Sequence, residues 1–155
     1  MASIAFLLQD EFKELSIDIN KVITMCLFHD LGEVVTGDIP AWKKTDKDRE
    51  IEAQELIKLL NSFPKSIREK LEPLLAEFEE QSTIESKVAK AIDKFETIIQ
   101  HNEANISTWT EKECVNHTAN FHYLDKYLLN NFLKELKEEL HSQMWEKVKN
   151  KPISS

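Results

Sequence analysis

Apolar residues recur at spacings of three and four along almost the whole chain, the period of helices with one buried face. Ile4, Leu7, Leu8, Phe12 and Leu15 predict an amphipathic opening helix. Asp18 is placed to cap a second helix, where Val22, Ile23, Met25, Cys26, Leu27 and Phe28 leave few polar faces. A helix apolar nearly all round is expected at the centre of a fold. The pattern changes at Gly32, and Gly37-Asp38-Ile39-Pro40 reads as a turn or loop, followed by a polar loop over 41–47. Ile51, Leu56, Ile57, Leu59 and Leu60 mark a third helix. Pro64 is placed to open a short fourth helix through Ile67 and Leu71, and Pro73 to open or kink the next segment to Phe78. Ser82-Thr83-Ile84-Glu85 has the form of a capping box, with Glu85 three residues after Ser82. The long helix behind it carries Ile84, Val88, Ile92, Phe95, Ile98 and Ile99 on one broad face. Residues 102–119 lose the periodicity and read as a loop. Phe121, Leu124, Leu128, Phe132, Leu136, Leu140, Met144 and Val148 then predict one closing helix, with a frayed tail over 150–155.

Composition narrows the class. A length of 155 residues suits one domain at roughly 100–200 residues each, and no repeat or linker divides it, so 1–155 reads as a single all-α domain. Two Gly and four Pro are too few for a turn-rich β fold, and they exclude a glycine-rich phosphate or dinucleotide loop. The formal net charge of −8 opposes attraction to nucleic acid, though a bound cation would reverse the field locally for a phosphorylated ligand. Cys26 and Cys114 do not make a disulfide framework, so a reducing, cytoplasmic setting is expected. No apolar run approaches the roughly 18 residues of a membrane span, and no membrane partner is expected.

His29-Asp30 stands out against this background. The pair follows Leu27-Phe28 on a helix expected to be buried, where a carboxylate needs a partner. Two readings fit: a hydrogen-bonded His–Asp pair, or two ligands converging on an ion beside the helix. Imidazole with carboxylate suits Mn, Fe, Co, Ni or Zn. Glu33, four residues after His29 and three after Asp30, shares their side if the helix continues. It would then orient a water or carry its proton, or else be an ordinary helix-end glutamate. Asp38 follows Gly37 and fits a plain turn residue equally well. Asp93 sits between Ile92 and Phe95, with Lys90 and Lys94 offering a salt-bridge explanation. His101 lies about two helical turns beyond Asp93, too far to share an ion with it. His117 and His122 lie near a loop–helix boundary, and His141 near the chain end.

Taken in order, these blocks resemble a known family. His29-Asp30-Leu31-Gly32-Glu33-Val34-Val35-Thr36-Gly37-Asp38-Ile39-Pro40 is similar to the signature of HD-domain metal-dependent phosphohydrolases, in the branch of the 5′-deoxynucleotidases. Lys90-Ala91-Ile92-Asp93-Lys94-Phe95-Glu96 resembles that branch's second block, and Glu77-Phe78-Glu79 an element between the two. The resemblance covers roughly residues 2–101. It implies an all-α HD-domain bundle in which His29, Asp30 and Asp93 are ligands of a divalent cation (Mn, Co, Fe, Ni, Zn or Mg). A water activated by that cation attacks a phosphoester. By position Glu33 assists the water, Asp38 lies near the substrate and its leaving group, and Glu77 matches a substrate-side carboxylate. The implied substrate is a (deoxy)nucleoside 5′-monophosphate, and homodimers are frequent in the branch.

One departure accompanies the match. The family's first His ligand stands on a preceding helix, usually in an Ala-Glu-His-Ser context, and here no histidine precedes His29. The stretch Ala2–Leu7 resembles what normally follows that histidine, so the N-terminal helix is expected to be incomplete. An alternative is therefore a non-catalytic HD-fold remnant acting as a dimerisation or binding module. Hydrolysis of a bis-phosphorylated alarmone, as in another HD branch, fits the Gly37-Asp38 element less well.

Overall fold

The computed structural model describes residues 1–39, 43–111, 113–115 and 121–150, and among these no strand occurs. The all-α expectation holds. The α-helices are α1 (Ala2–Leu7), α2 (Ile19–Phe28), α3 (Glu33–Thr36), α4 (Asp46–Ser62), α5 (Lys65–Glu80), α6 (Ile84–Glu103) and α7 (Asn131–Lys149). Shorter 3-10 segments cover Gln9–Leu15, Ile106–Thr108 and Phe121–Tyr127. No helix among the described residues is long and apolar enough to cross a membrane.

The central element is α6 rather than α2. It buries Ser86, Val88, Ala89, Ala91, Ile92, Phe95 and Ile98, and it packs against α1, α2, α5, α7 and the Phe121–Tyr127 segment. α2 buries only Val22, Met25 and Cys26, and leaves Leu27 62% exposed. A second, smaller core forms where Leu60 of α4 meets Leu71 and Leu75 of α5, and Leu74 packs against both cores. Asp18 caps α2 as predicted, accepting the N–H groups of Asn20 (3.0 Å) and Lys21 (3.2 Å). A Thr45–Asp48 capping box starts α4.

Several elements differ from the sequence reading. The opening helix breaks after Leu7, and the tighter 3-10 segment behind it buries Phe12, edge-on to Phe132. α5 is continuous through Pro73, because that residue lies on the exposed face, where solvent can hydrate the carbonyl left unpaired by its ring. The capping box of α6 is Thr83–Ser86, one residue later than Ser82–Glu85. The Thr83 hydroxyl accepts the Ser86 N–H (3.2 Å) and Ser86 Oγ accepts the Thr83 N–H (3.1 Å). Glu85 can thereby accept the Asp18 N–H (3.2 Å) and tie α6 to α2. The expected loop over 102–119 is partly built: it buries Trp109 and Cys114, and the Cys114 N–H closes a helical turn on Thr110 (3.1 Å). Within that stretch, residue 112 and residues 116–119, with His117, lie outside the described residues, as do 40–42 and the tail 151–155.

The closing helix is also two pieces, broken at Asn130. This residue is 8% exposed; its Oδ1 accepts the Leu133 N–H (3.0 Å) and caps α7, while its Nδ2 donates to the Glu11 carbonyl (2.7 Å). It therefore stitches the last helix to the first segment. Losing an N-cap costs about 1 kcal/mol, and losing the partly covered bond to the Glu11 carbonyl about 0.5–1.5 kcal/mol more. Asn130→Ala is expected to lower stability by about 1.5–2.5 kcal/mol in urea unfolding, more than the loss of an exposed cap alone would give. A midpoint unchanged by Asn130→Ala would show that the stitch contributes nothing.

Candidate metal and phosphate site

His29 occupies the C-terminal cap of α2, its N–H bonded to the Met25 carbonyl at 2.9 Å. Its side chain is 10% exposed. Nδ1 donates to the Cys26 carbonyl at 3.1 Å, which fixes the tautomer and turns Nε2 away from the helix. Nε2 lies 2.8 Å from Asp30 Oδ2 and 4.0 Å from Asp93 Oδ1. The Phe78 ring of α5 meets the imidazole edge-on at 5.4 Å and walls the site from the core side.

Asp93, on α6, is 18% exposed and is held by its other oxygen. Lys94 Nζ sits 2.8 Å and Lys90 Nζ 3.9 Å from Oδ2, leaving Oδ1 toward His29. Lys90 also lies over the Phe78 ring at 4.2 Å. Burial pushes the His29 imidazole down, but the hydrogen bond and charge of Asp30, with the charge of Asp93, outweigh it and leave the pKa raised. Burial pushes Asp30 up, but the His29 hydrogen bond, with Lys90 and Lys94, leaves it lowered. Both directions follow from one fact: a ring nitrogen with its partner already tied to Cys26 points at two carboxylates. Something positive belongs between them, either a proton on Nε2 or a metal cation.

That donor set fits a divalent cation in its chemistry: one imidazole with its far nitrogen tied to a backbone carbonyl, and two carboxylates. The three side chains do not encircle a common point, for among the described residues no group of three His, Cys, Asp or Glu side chains has metal-holding geometry.

Glu33 begins the one-turn helix α3, its N–H bonded to the Asp30 carbonyl at 2.9 Å. Burial raises its pKa; Lys44, 3.2 Å from Oε1, opposes this, while the charges of Asp30 and Asp38 add to it. Asp38 is exposed just after Gly37, whose φ of 79° sets the turn. Glu77 is placed elsewhere. It is bound by Lys21 at 2.6 Å and by the Thr83 hydroxyl, at the starts of α2 and α6. Glu77 thus clamps the starts of α2 and α6, while the next residue, Phe78, reaches the His29 ring.

The remaining histidines make other contacts. His101 Nδ1 donates to the Thr97 carbonyl (2.9 Å), His122 meets Asp125 at 3.4 Å, and His141 stacks on Phe121. Sequence reasoning missed Lys44 and the Cys26 carbonyl. Lys44 lies in an aperiodic polar stretch, and a backbone acceptor has no sequence signal at all.

An HD domain family model matches residues 1–137, and the chain belongs to that family. Curated relatives are the 5′-deoxynucleotidase HDDC2 of Dictyostelium discoideum, 35% identical over 56% of this chain and 47% of its own length, and that of Homo sapiens, 30% identical over 66% and 50%. The 5′-deoxynucleotidase hdd1 of Schizosaccharomyces pombe is 26% identical over 89% of this chain and 72% of its own length. The chain spans about half the length of the first two. No solved structure matches.

The Glu77 clamp carries a pH signature. Burial raises the Glu77 pKa, but hydrogen bonds from Lys21 and Thr83 outweigh that and leave it lowered. Its stabilisation is therefore present above the unfolded carboxylate pKa of about 4.3, and disappears as pH falls through the lower folded value. Glu77→Gln is expected to lower stability by about 1–2 kcal/mol at pH 7. In chemical denaturation at a series of pH values the gap between wild type and variant should close below about pH 4. A gap that persists in acid would assign the loss to packing instead of charge.

Proposed function

We propose that the chain is a divalent-metal-dependent phosphohydrolase that releases phosphate from deoxynucleoside 5′-monophosphates. The observation that carries the reading is the convergence of His29 Nε2, its tautomer fixed by Cys26, on Asp30 and Asp93, in a chain of the HD domain family. The names of the relatives support the substrate class.

His29, Asp30 and Asp93 would hold the cation; Mn, Co, Fe, Ni, Zn and Mg are all candidates for this donor set. When bound, it supplies charge against the phosphate and acidity to a water. The residues of the chain do the rest. Glu33, its pKa raised by burial, accepts a proton from the attacking water as the P–O bond forms. Asp38 hydrogen-bonds the sugar beside the leaving 5′-oxygen; as the P–O5′ bond breaks, that oxygen takes a proton from solvent water and leaves as nucleoside, and Glu33 returns its proton to solvent. Lys90 and Lys94 add positive charge beside the carboxylates. Glu77, held by Lys21 and the Thr83 hydroxyl one residue before the Phe78 wall, is the substrate-side carboxylate. Cys26 and Cys114, both buried thiols, suit a reducing, cytoplasmic setting.

A second reading, a non-catalytic module that keeps the fold, is favoured by the absence of a gathered three-ligand group among the described residues. Elemental analysis, with phosphate release from a panel of deoxynucleoside monophosphates in Mn or Co, separates the two. About one metal per chain is expected, with turnover falling at least about 100-fold in Asp93→Ala. Metal without turnover would favour the non-catalytic module, and a folded protein with neither would remove the enzyme reading.

A further inference from the structure

The contacts of Glu33 extend beyond the residues the reaction needs. Lys44 Nζ binds Glu33 Oε1 (3.2 Å) and also the Glu52 carboxylate on α4. The three side chains are well covered, at 15% exposure for Lys44, 23% for Glu33 and 25% for Glu52. Glu52 is pressed close to the site backbone: a Cβ on Gly32 would lie 3.1 Å from Glu52 Cγ. Gly32 is buried, and its lack of a side chain is what lets α4 approach the peptide just before Glu33. α3 itself is a single turn that buries no residue, so it has no core anchor of its own. α4 does, through Leu60, and its N-terminus is fixed by the Thr45–Asp48 box directly after Lys44.

We infer that Lys44 and Glu52 are positioning residues for Glu33: they hold the carboxylate of a turn with no buried residue of its own at a fixed place beside Asp30. The inference rests on the proposed role of Glu33 and goes beyond it by naming what orients that group. Neither side chain need touch the substrate. Each acts by removing the freedom of α3, so that the proton acceptor is in place before the substrate arrives. Lys44 is suited to the task because one ammonium serves two carboxylates with separate donors. Of those two carboxylates, Glu52 stands on the long, anchored helix and Glu33 on the short one.

The test compares Lys44→Met, Lys44→Arg and Glu52→Gln with wild type in the full chain. It uses a deoxynucleoside monophosphate with Mn as probe, thermal midpoint, and amide hydrogen exchange. In Lys44→Met and Glu52→Gln, kcat should fall about 10- to 100-fold, with KM and metal content little changed. Amides 33–37 should exchange faster while α6 stays protected, and Lys44→Arg should recover part of both losses. A kcat that falls only in step with the folded fraction would overturn the proposal in favour of a purely structural pair. So would unaltered kcat with unaltered exchange. Wild type without turnover would remove the proposed function, and the tether would then be judged on exchange alone: unchanged protection at 33–37 in Lys44→Met removes it as well.

Discussion

The packing of α2 on α6 is the constraint from which the site follows. The two helices run in the same direction. They are pinned at their starts by Glu85 accepting the Asp18 N–H and by Glu77 lying between Lys21 and Thr83. Counted from those pins, His29 and Asp93 fall within a turn of one another along the pair. Their 4.0 Å approach is thus set by a register fixed elsewhere. Val22, Met25 and Cys26 join Val88, Ala89, Ile92 and Phe95 in one buried cluster, so the register cannot slip without opening the core. A polar site at the far end is in this sense a product of apolar contacts and two surface clamps at the near end.

Much of this was legible in the sequence because helical period and cap chemistry are local. The Asp18 cap, the face of α6 and the turn at Gly37 could be read directly. What escaped depended on contacts between distant residues. The closing apolar pattern from Phe121 to Val148 is consistent with one helix, and nothing in its period reveals that Asn130 turns back to the Glu11 carbonyl. Ser82 and Thr83 are both good caps on propensity. The choice falls to Thr83 because its hydroxyl also meets Glu77 and because Glu85 can then reach Asp18. Pro73 looked like a boundary only because the sequence does not say that its face is exposed.

The site divides the same way. His29, Asp30 and Asp93 announced themselves as charged or polar groups on apolar helix faces, and the resemblance supplied their order. The groups that orient them did not, since a backbone carbonyl at Cys26 and a lysine in an aperiodic stretch carry no pattern. Glu77 shows another thing spacing leaves out. Its motif context suggested a substrate contact, and nothing in that context reveals that Lys21 and Thr83 hold the carboxylate. Spacing predicts which residues share an element; it does not predict which of a crowd of charges will pair.

The lysines around the site explain how a chain with a net charge of −8 can keep several carboxylates together. Each is held by one oxygen: Asp93 by Lys94 and Lys90 at Oδ2, Glu33 by Lys44 at Oε1. Neutralised from behind, these groups tolerate burial that isolated carboxylates would resist. Their partners also fix rotamers, so Asp93 Oδ1 is directed at His29 instead of into solvent. Asp30 differs: its side chain is 62% exposed and, among the described residues, is bonded by the His29 imidazole alone. Of the three carboxylates it is therefore the one least held by its neighbours.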